Sequence, residues 1–548
     1  MKQTIKQKYI SSAFILLTAT IVVKVISAVY KIPLTGYIGA VGRGYFSVAY
    51  NLCMPIHALT MGAFPLALTR LVSRYEAKGD RLKIKALRKA SKKLFFIIGI
   101  TGMAVMLAVA KPYSELVASS PKSFYTILVL APSVFFSCLC ACNRAFAEGF
   151  LDMKATAVSQ TIEALFKMIF GLLFARLTMS GLCEMYAQNG SVLGFAVDSE
   201  QQALSVIYPL TSAAAMLGVT LGSVAGYVFA AIYVKTKYNF LPGEKVKSSD
   251  AYSELLVFSA GLVGATVVQS LANFADTSSI QYCLTLCDAD ALAGQYMVSS
   301  DDVYTYVLGI FSVSLDFRNL IPAVVMALGM TAVPAVSAAY ESSMERFSPL
   351  LTSIFKYTVI LAACGGVLIS LFYNDLLMIF YGASNEDIVS NAGKLLFFFG
   401  VTSLPSAAAS TSVFCTQALG YAKQTILPFF VSAIVRVVMN FILIPNESIN
   451  ILGTAFSGFA GYLIILVWNI VTICRKTNAR LNLFEIFVKP VICASLTYFV
   501  TYCIRESVSS YVTGVSVFIL SCIICLLSYF TLLFLFNSIS FREIKSIK

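Results

Sequence analysis

Long apolar runs, separated by short polar or basic stretches, account for most of the chain. Fourteen stand near residues 10–34, 44–72, 94–112, 124–144, 155–177, 205–234, 253–277, 304–340, 352–373, 388–418, 424–444, 450–474, 485–504 and 512–537. A helix needs about 20 apolar residues to cross a bilayer core. Barrel strands are about 10 residues long and alternate in polarity, so runs this long and uniform exclude a barrel. The pattern predicts an all-α polytopic membrane protein with fourteen transmembrane helices. Prolines inside the runs (Pro33, Pro55, Pro65, Pro132, Pro322, Pro334 and Pro405) predict kinks, which are tolerated where the freed carbonyls line a protein cavity.

Composition agrees. Of 548 residues, 12% are charged, about half the fraction of a soluble domain. The net charge of +13 suggests nucleic acid only until its placement is examined. If both termini face the cytoplasm, cytoplasmic segments hold 29 of the 40 basic residues, as the positive-inside rule requires. Outer loops are acidic instead, with Asp288, Asp290, Asp301, Asp302, Asp375, Glu386 and Asp387. Charge distribution therefore supports fourteen spans with both ends inside and no nucleic-acid partner. The N-terminus reads as a retained first helix, because Lys24 follows the apolar run where a cleavage site would stand. In the most basic segment, Arg81, Lys85, Arg88 and Lys92 share one helical face and suit anionic lipid. The 14 cysteines lie mostly inside apolar runs without ligand spacing, and His57 is the only histidine, so neither a metal site nor a disulfide framework is expected.

Two segments recur at an offset near 270 residues, their prolines 273 and 269 positions apart. Pro132-Ser133, leading to Gly149, matches Pro405-Ser406, leading to Gly420, and Gly62–Thr69 matches Gly329–Ser337. Six spans per repeat, starting on the same side, give two parallel lobes, an architecture of secondary transporters. The expected lobes are residues 1–240 and 241–480, with an extra helix pair at 481–548.

Seven charges fall well inside the predicted spans: Lys24, Glu163, Lys167, Asp316, Arg318, Lys394 and Arg436. Each would cost about 3 kcal/mol facing lipid, so they are expected to line a cavity. Glu163 and Lys167 are four apart and form a structural or coupling pair. Cations predominate, which suits a phosphate or pyrophosphate. Asn273 and Asp276 sit near the outer end of span seven, where Asp276 would hold a cavity cation or a coupling ion. The turn Tyr30–Asn51 places Lys31 and Arg43 among four glycines. No strand precedes its Gly39-x-x-Gly42-x-Gly44 and no Walker lysine follows, so it is not a phosphate loop. No catalytic triad, metal cluster or nucleotide motif appears, and the chain reads as a transporter rather than an enzyme.

The run Lys24–Thr35, then Gly42-x-Gly44-Tyr-Phe-Ser47-x-Ala-Tyr50-Asn51, then Pro65-x-Ala-x-Thr69-x-Leu-Val-Ser73, resembles the polysaccharide-biosynthesis and stage V sporulation protein B group of the MOP flippase superfamily, which also holds the lipid II flippase MurJ and the MATE drug exporters. Asn273–Asp276 and Pro334–Ser337 are similar to that group's seventh and eighth spans. The resemblance implies two six-helix lobes in a V, a central cationic cavity, and transfer of an undecaprenyl-pyrophosphate-linked sugar or peptidoglycan precursor from the inner to the outer leaflet of the bacterial cytoplasmic membrane. It places Lys24, Arg43, Arg318 and Arg436 at the headgroup, with Lys31, Asn51, Asn273, Asp276 and Lys394 completing the candidate cavity set. It implies a last helix pair near a lipid-tail groove. It also implies no cofactor, a proton, sodium or potential drive, a monomer among membrane lipids, and cell-wall synthesis enzymes as partners. The polar stretch Gly181–Gln202 is longer than the group leads one to expect. An ion-coupled drug exporter would want an anionic cavity, and a glycan polymerase would want acidic or histidine catalysts in a large outer loop, so both rank lower.

Overall fold

The computed structural model describes residues 2–58, 60, 64–197, 199–238, 249–325, 336, 340, 344–382, 385–508 and 515–539. They are almost entirely helical. In order come α1 (Lys2–Ala58), α2 (Phe64–Ala77), α3 (Arg81–Pro112), α4 (Ser123–Glu148), α5 (Lys154–Asn189), α6 (Glu200–Lys237), α7 (Ser249–Leu284), α8 (Ala289–Tyr296), α9 (Val303–Arg318), α10 (Met344–Leu371), α11 (Tyr373–Tyr381), α12 (Glu386–Ala418), α13 (Ile426–Leu443), α14 (Gly453–Thr477), α15 (Lys489–Val508) and α16 (Val515–Leu535).

Among the described residues, eleven helices are long and apolar enough to cross a membrane. Two more long helices, α5 and α7, have 36 residues each and carry charged side chains within them, Glu163, Lys167 and Arg176 in one and Glu254 and Asp276 in the other. The predicted second span, 44–72, is shared between the end of α1 and the start of α2. The first two predicted spans meet inside α1 at Gly39, whose φ of 62° and ψ of −172° break the helical geometry. A left-handed φ favours glycine. Pro33, Pro55, Pro132 and Pro405 sit inside helices that continue through them. Most of the repeat segment Gly329–Ser337, including Pro334, lies outside the described residues, as does the C-terminal basic stretch at 540–548.

The chain divides into two compact units, residues 1–309 and 310–548. The sequence repeat sets the expected lobe boundary at 240. Packing in this conformation joins α7 to α1, α2 and α3 within the first unit. Tyr75 on α2 donates to Glu254 of α7 at 2.7 Å. The core of the first unit centres on Leu68, Leu71, Val72, Leu87, Phe95 and Phe146, all buried. Its α5 and α6 pack with little separation. A Cβ at Gly218 would meet the Gly171 backbone, and one at Gly222 would lie 2.6 Å from the Glu163 carbonyl oxygen. Small residues at intervals of four let helix backbones approach this closely.

The stretch Gly181–Gln202 is a structured cap. It extends α5 to Asn189, forms a hairpin pairing Ser191 with Ala196, and starts α6 at a Ser199 N-cap. Leu182, Val192, Ala203 and Ile207 give it a small core. In the second unit, Phe347, Leu351, Phe355 and Val359 of α10 pack with Ala408 of α12 and Ile465 of α14. The last helix pair docks on α10, where Tyr529 donates to the Ile360 carbonyl at 3.0 Å, and Arg505 pairs with Asp375 at 2.8 Å. All 14 cysteines are free thiols.

Candidate functional site

Two groups of buried or half-buried cations stand out, one in each unit. In the second unit, Arg318 at the end of α9 is 9% exposed. Its guanidinium lies over the rings of Phe399, at 5.0 Å, and Tyr462, at 5.7 Å. Its Nη2 donates to the Tyr462 hydroxyl and to Asn319 Oδ1, both at 3.4 Å. Arg436 on α13 lies over the same Tyr462 ring at 5.3 Å, with its aliphatic stem against Gly461. The sequence offers Arg318 and Arg436 as separate candidates on separate helices. Folding brings them to one tyrosine on a third. An aromatic face stabilises a guanidinium, which lets two like charges share a site in low dielectric. Two guanidiniums over one tyrosine ring are a donor set of the kind that binds a phosphate or pyrophosphate.

In the first unit, the polar face of α5 meets α1 and α4. Arg144 donates through Nε to Ser159 Oγ at 2.7 Å and through Nη2 to Glu163 Oε2 at 2.9 Å. Glu163, expected to pair with Lys167 along its own helix, is bound by a cation from α4. Lys167 donates to the Tyr50 hydroxyl at 3.2 Å and lies over the rings of Tyr30 and Tyr50. Arg43 is buried, and its field reaches both tyrosines. The close α5–α6 packing through Gly218 and Gly222 fixes the backbone that carries Glu163 and Lys167.

A third, neutral cluster gathers around Asn51. Its Nδ2 donates to the Tyr113 hydroxyl at 2.6 Å and to Ser278 Oγ at 3.3 Å, while Tyr113 donates to Gln281 Oε1. Gln281 is fully buried, and its Nε2 has no acceptor among the described residues. Close by in sequence, Asp276 is buried and Asn273 exposed on α7. Asp302, one residue before α9, accepts from Tyr45 at 3.1 Å and pairs with Lys122 at 3.2 Å. Of the remaining candidates, Lys24 is exposed on α1, Lys31 half-buried, and Lys394 exposed on α12. The cation series Lys24, Lys31 and Arg43 thus runs from exposed to buried along α1. Tyr462, Arg144, Tyr30, Tyr50, Tyr113, Ser278 and Gln281 were not singled out from sequence. A search for charges inside apolar runs passes over neutral polar side chains, although a lone Gln or Tyr in such a run is itself a signal. Among the described residues, no group of His, Cys, Asp and Glu could hold a metal ion.

A family model described as polysaccharide biosynthesis protein matches residues 10–197. Stage V sporulation protein B of Bacillus subtilis (strain 168) is 20% identical over 518 residues, covering 92% of this chain and 90% of that protein. The lipid II flippase MurJ of the same organism is 23% identical over 489 residues, covering 86% and 83%. Among solved structures, MurJ in an inward closed conformation aligns with TM-score 0.69 and 14% identity over 97% of this chain and 99% of that one. An inward-facing MATE multidrug transporter aligns with TM-score 0.62 and 15% identity over 82% and 96%. At such identities the structural likeness shows the fold alone.

Proposed function

We propose that this chain, similar to stage V sporulation protein B and to the lipid II flippase MurJ, is a flippase of the MOP superfamily that carries an anionic, lipid-linked glycan across the bacterial cytoplasmic membrane. The cargo is an undecaprenyl-pyrophosphate-linked oligosaccharide or peptidoglycan precursor, moved from the inner to the outer leaflet by alternating access, with both termini cytoplasmic. One relative is the lipid II flippase MurJ, and this protein performs transport rather than catalysis. The observation that carries the reading is the convergence of Arg318 and Arg436 on Tyr462. Two cations inside a membrane unit are costly without a function, and a pyrophosphate is the anion that a polyprenyl carrier presents. The polyprenyl tail stays in lipid while the cations replace the water around the phosphates.

The reading is tested in proteoliposomes holding a fluorescent lipid-linked pyrophosphoryl glycan, with leaflet exposure followed by quenching. Wild-type protein should flip it, and Arg318→Gln or Arg436→Gln should slow the initial rate by about 30-fold, the factor worth about 2 kcal/mol. Undiminished flipping by both variants would overturn the assignment of the two arginines. The same liposomes with a cationic drug in place of the glycan test the drug-export alternative.

A further inference from the structure

A groove of about 480 Å³ opens on the first unit between α3, α4 and α6, and none of Arg144, Glu163, Lys167 and Arg43 lines it. Its walls are mainly aromatic and aliphatic: Phe96 from α3, Phe135, Phe136 and Leu139 from α4, and Tyr227 and Ile232 from α6. Phe96 packs edge-on to Phe135 with centroids 5.4 Å apart, and Phe136 against Tyr227 at 6.2 Å. Phe96 and Ile232 remain half-exposed, so the groove is open to the surroundings of the helix bundle. Tyr227 and Lys235 are eight residues apart, about 12 Å along a helix axis.

One end of this groove is charged. Lys92 and Lys235 both line it, Lys92 early in α3 and Lys235 late in α6. Because α3 leaves the basic Arg81–Lys93 segment and α6 ends in Lys235 and Lys237, both ammoniums sit at the basic side of the protein. They are close enough for Lys92 to feel repulsion from Lys235 and from Arg88. Arg88 is engaged, donating to the Tyr238 carbonyl at 2.8 Å and lying over Phe146. Neither Lys92 nor Lys235 has a hydrogen bond or ion pair among the described residues. Two neighbouring cations without an anion, above an apolar slot, match a ligand with a negative head and a long apolar tail.

We infer that this groove is a binding site for an anionic diacyl phospholipid of the leaflet on the basic side, its phosphate between Lys92 and Lys235 and one acyl chain along Phe96, Phe135, Phe136 and Tyr227. The two ammoniums favour a negatively charged headgroup, and the aromatic walls hold the chain without requiring order in the rest of the lipid. The site lies wholly in the first unit and does not depend on which cargo the protein carries. It differs from the diffuse attraction of the surrounding basic segment in having a defined wall and two specific contacts.

The test uses detergent-purified full-length protein and native mass spectrometry, titrating phosphatidylglycerol against phosphatidylcholine with identical chains. Wild-type protein should prefer the anionic lipid by about 30-fold if each lysine contributes as a cation near a membrane surface does. The double variant Lys92→Gln/Lys235→Gln should lose most of that preference. The control Lys89→Gln/Lys93→Gln removes two exposed charges from the same segment and should keep it. Phe136→Ala should weaken both lipids alike. A preference retained by Lys92→Gln/Lys235→Gln would overturn the site, as would an equal loss in the control, which would mean diffuse attraction. Competition by soluble glycerol phosphate as strong as by the lipid would also overturn it, since the groove would then contribute nothing.

Discussion

Removing the ring that two arginines share is the sharpest probe of the second unit. Tyr462 holds the Arg318 guanidinium at 5.7 Å and that of Arg436 at 5.3 Å from its centroid, and its hydroxyl accepts from Arg318 at 3.4 Å. A cation over a ring contributes about 1 kcal/mol when partly exposed and about 2 kcal/mol when desolvated. The long hydroxyl bond adds about 0.5 kcal/mol. Tyr462→Phe therefore removes little, whereas Tyr462→Leu releases both guanidiniums. A phosphate oxygen 4 Å from a guanidinium gains about 4 kcal/mol at an effective dielectric constant near 20. Desolvation and the remaining arginine offset about half of that when one partner is lost, leaving about 2 kcal/mol, or about 30-fold in affinity. The assay is a titration of purified protein with undecaprenyl pyrophosphate, with undecaprenyl alcohol as the uncharged control. Tyr462→Leu, Arg318→Gln and Arg436→Gln should each bind the pyrophosphate about 30-fold more weakly, and Tyr462→Phe should stay within about threefold. The double arginine variant should fall short of the product of the singles, because the residues share one site. Binding of the alcohol should not change. Wild-type pyrophosphate affinity in folded Tyr462→Leu and in both arginine variants would refute the reasoning.

Further outcomes follow from the first unit. Asp152 accepts from Lys237 at 2.6 Å, Tyr238 at 2.9 Å and Tyr233 at 3.0 Å. Burial opposes its charge, but the hydrogen bonds from Lys237, Tyr238 and Tyr233 outweigh it and hold the carboxyl below the ordinary value of 3.8. A depressed folded pKa gives stability that is complete above the unfolded value and lost as pH falls through the folded one. Wild-type protein should therefore keep this contribution from neutral pH down to about 4 and lose it below, whereas Asp152→Ala should melt as if destabilised by about 2 kcal/mol at pH 7 and show a flatter acid limb. Arg144→Ala strands the Glu163 carboxylate and should cost about 2 kcal/mol, whereas Arg144→Met with Glu163→Leu should cost less, in detergent melting curves. Gly218→Ala drives a methyl against the Gly171 backbone, which cannot swing aside as a side chain can. It should cost about 2 kcal/mol, and Gly181→Ala, with open space around it, should cost nothing measurable by the same assay.

The amino-acid pattern alone makes this a polytopic helical membrane protein, because hydrophobic run length responds to bilayer thickness, not to packing. It also named Arg318, Arg436, Glu163 and Lys167, since a charge inside an apolar run is costly wherever the helix ends up. It did not identify their partners. Arg318 and Arg436 are 118 positions apart, and only the packing of α9, α13 and α14 brings both to Tyr462. Glu163 met Arg144 for the same reason: an i,i+4 rule describes one helix and says nothing of α4. Similarly, the repeat set a lobe boundary at 240, while side-chain contacts such as Tyr75 with Glu254 assigned α7 to the first unit. The polar stretch Gly181–Gln202 has no role readable along the chain, because its Leu182 and Val192 form a core with Ala203 and Ile207 of α6 only when two helices and a hairpin converge. Local periodicity and charge cost are readable along the chain, whereas the pairing of side chains on different helices is a property of three-dimensional packing and had to come from the structure.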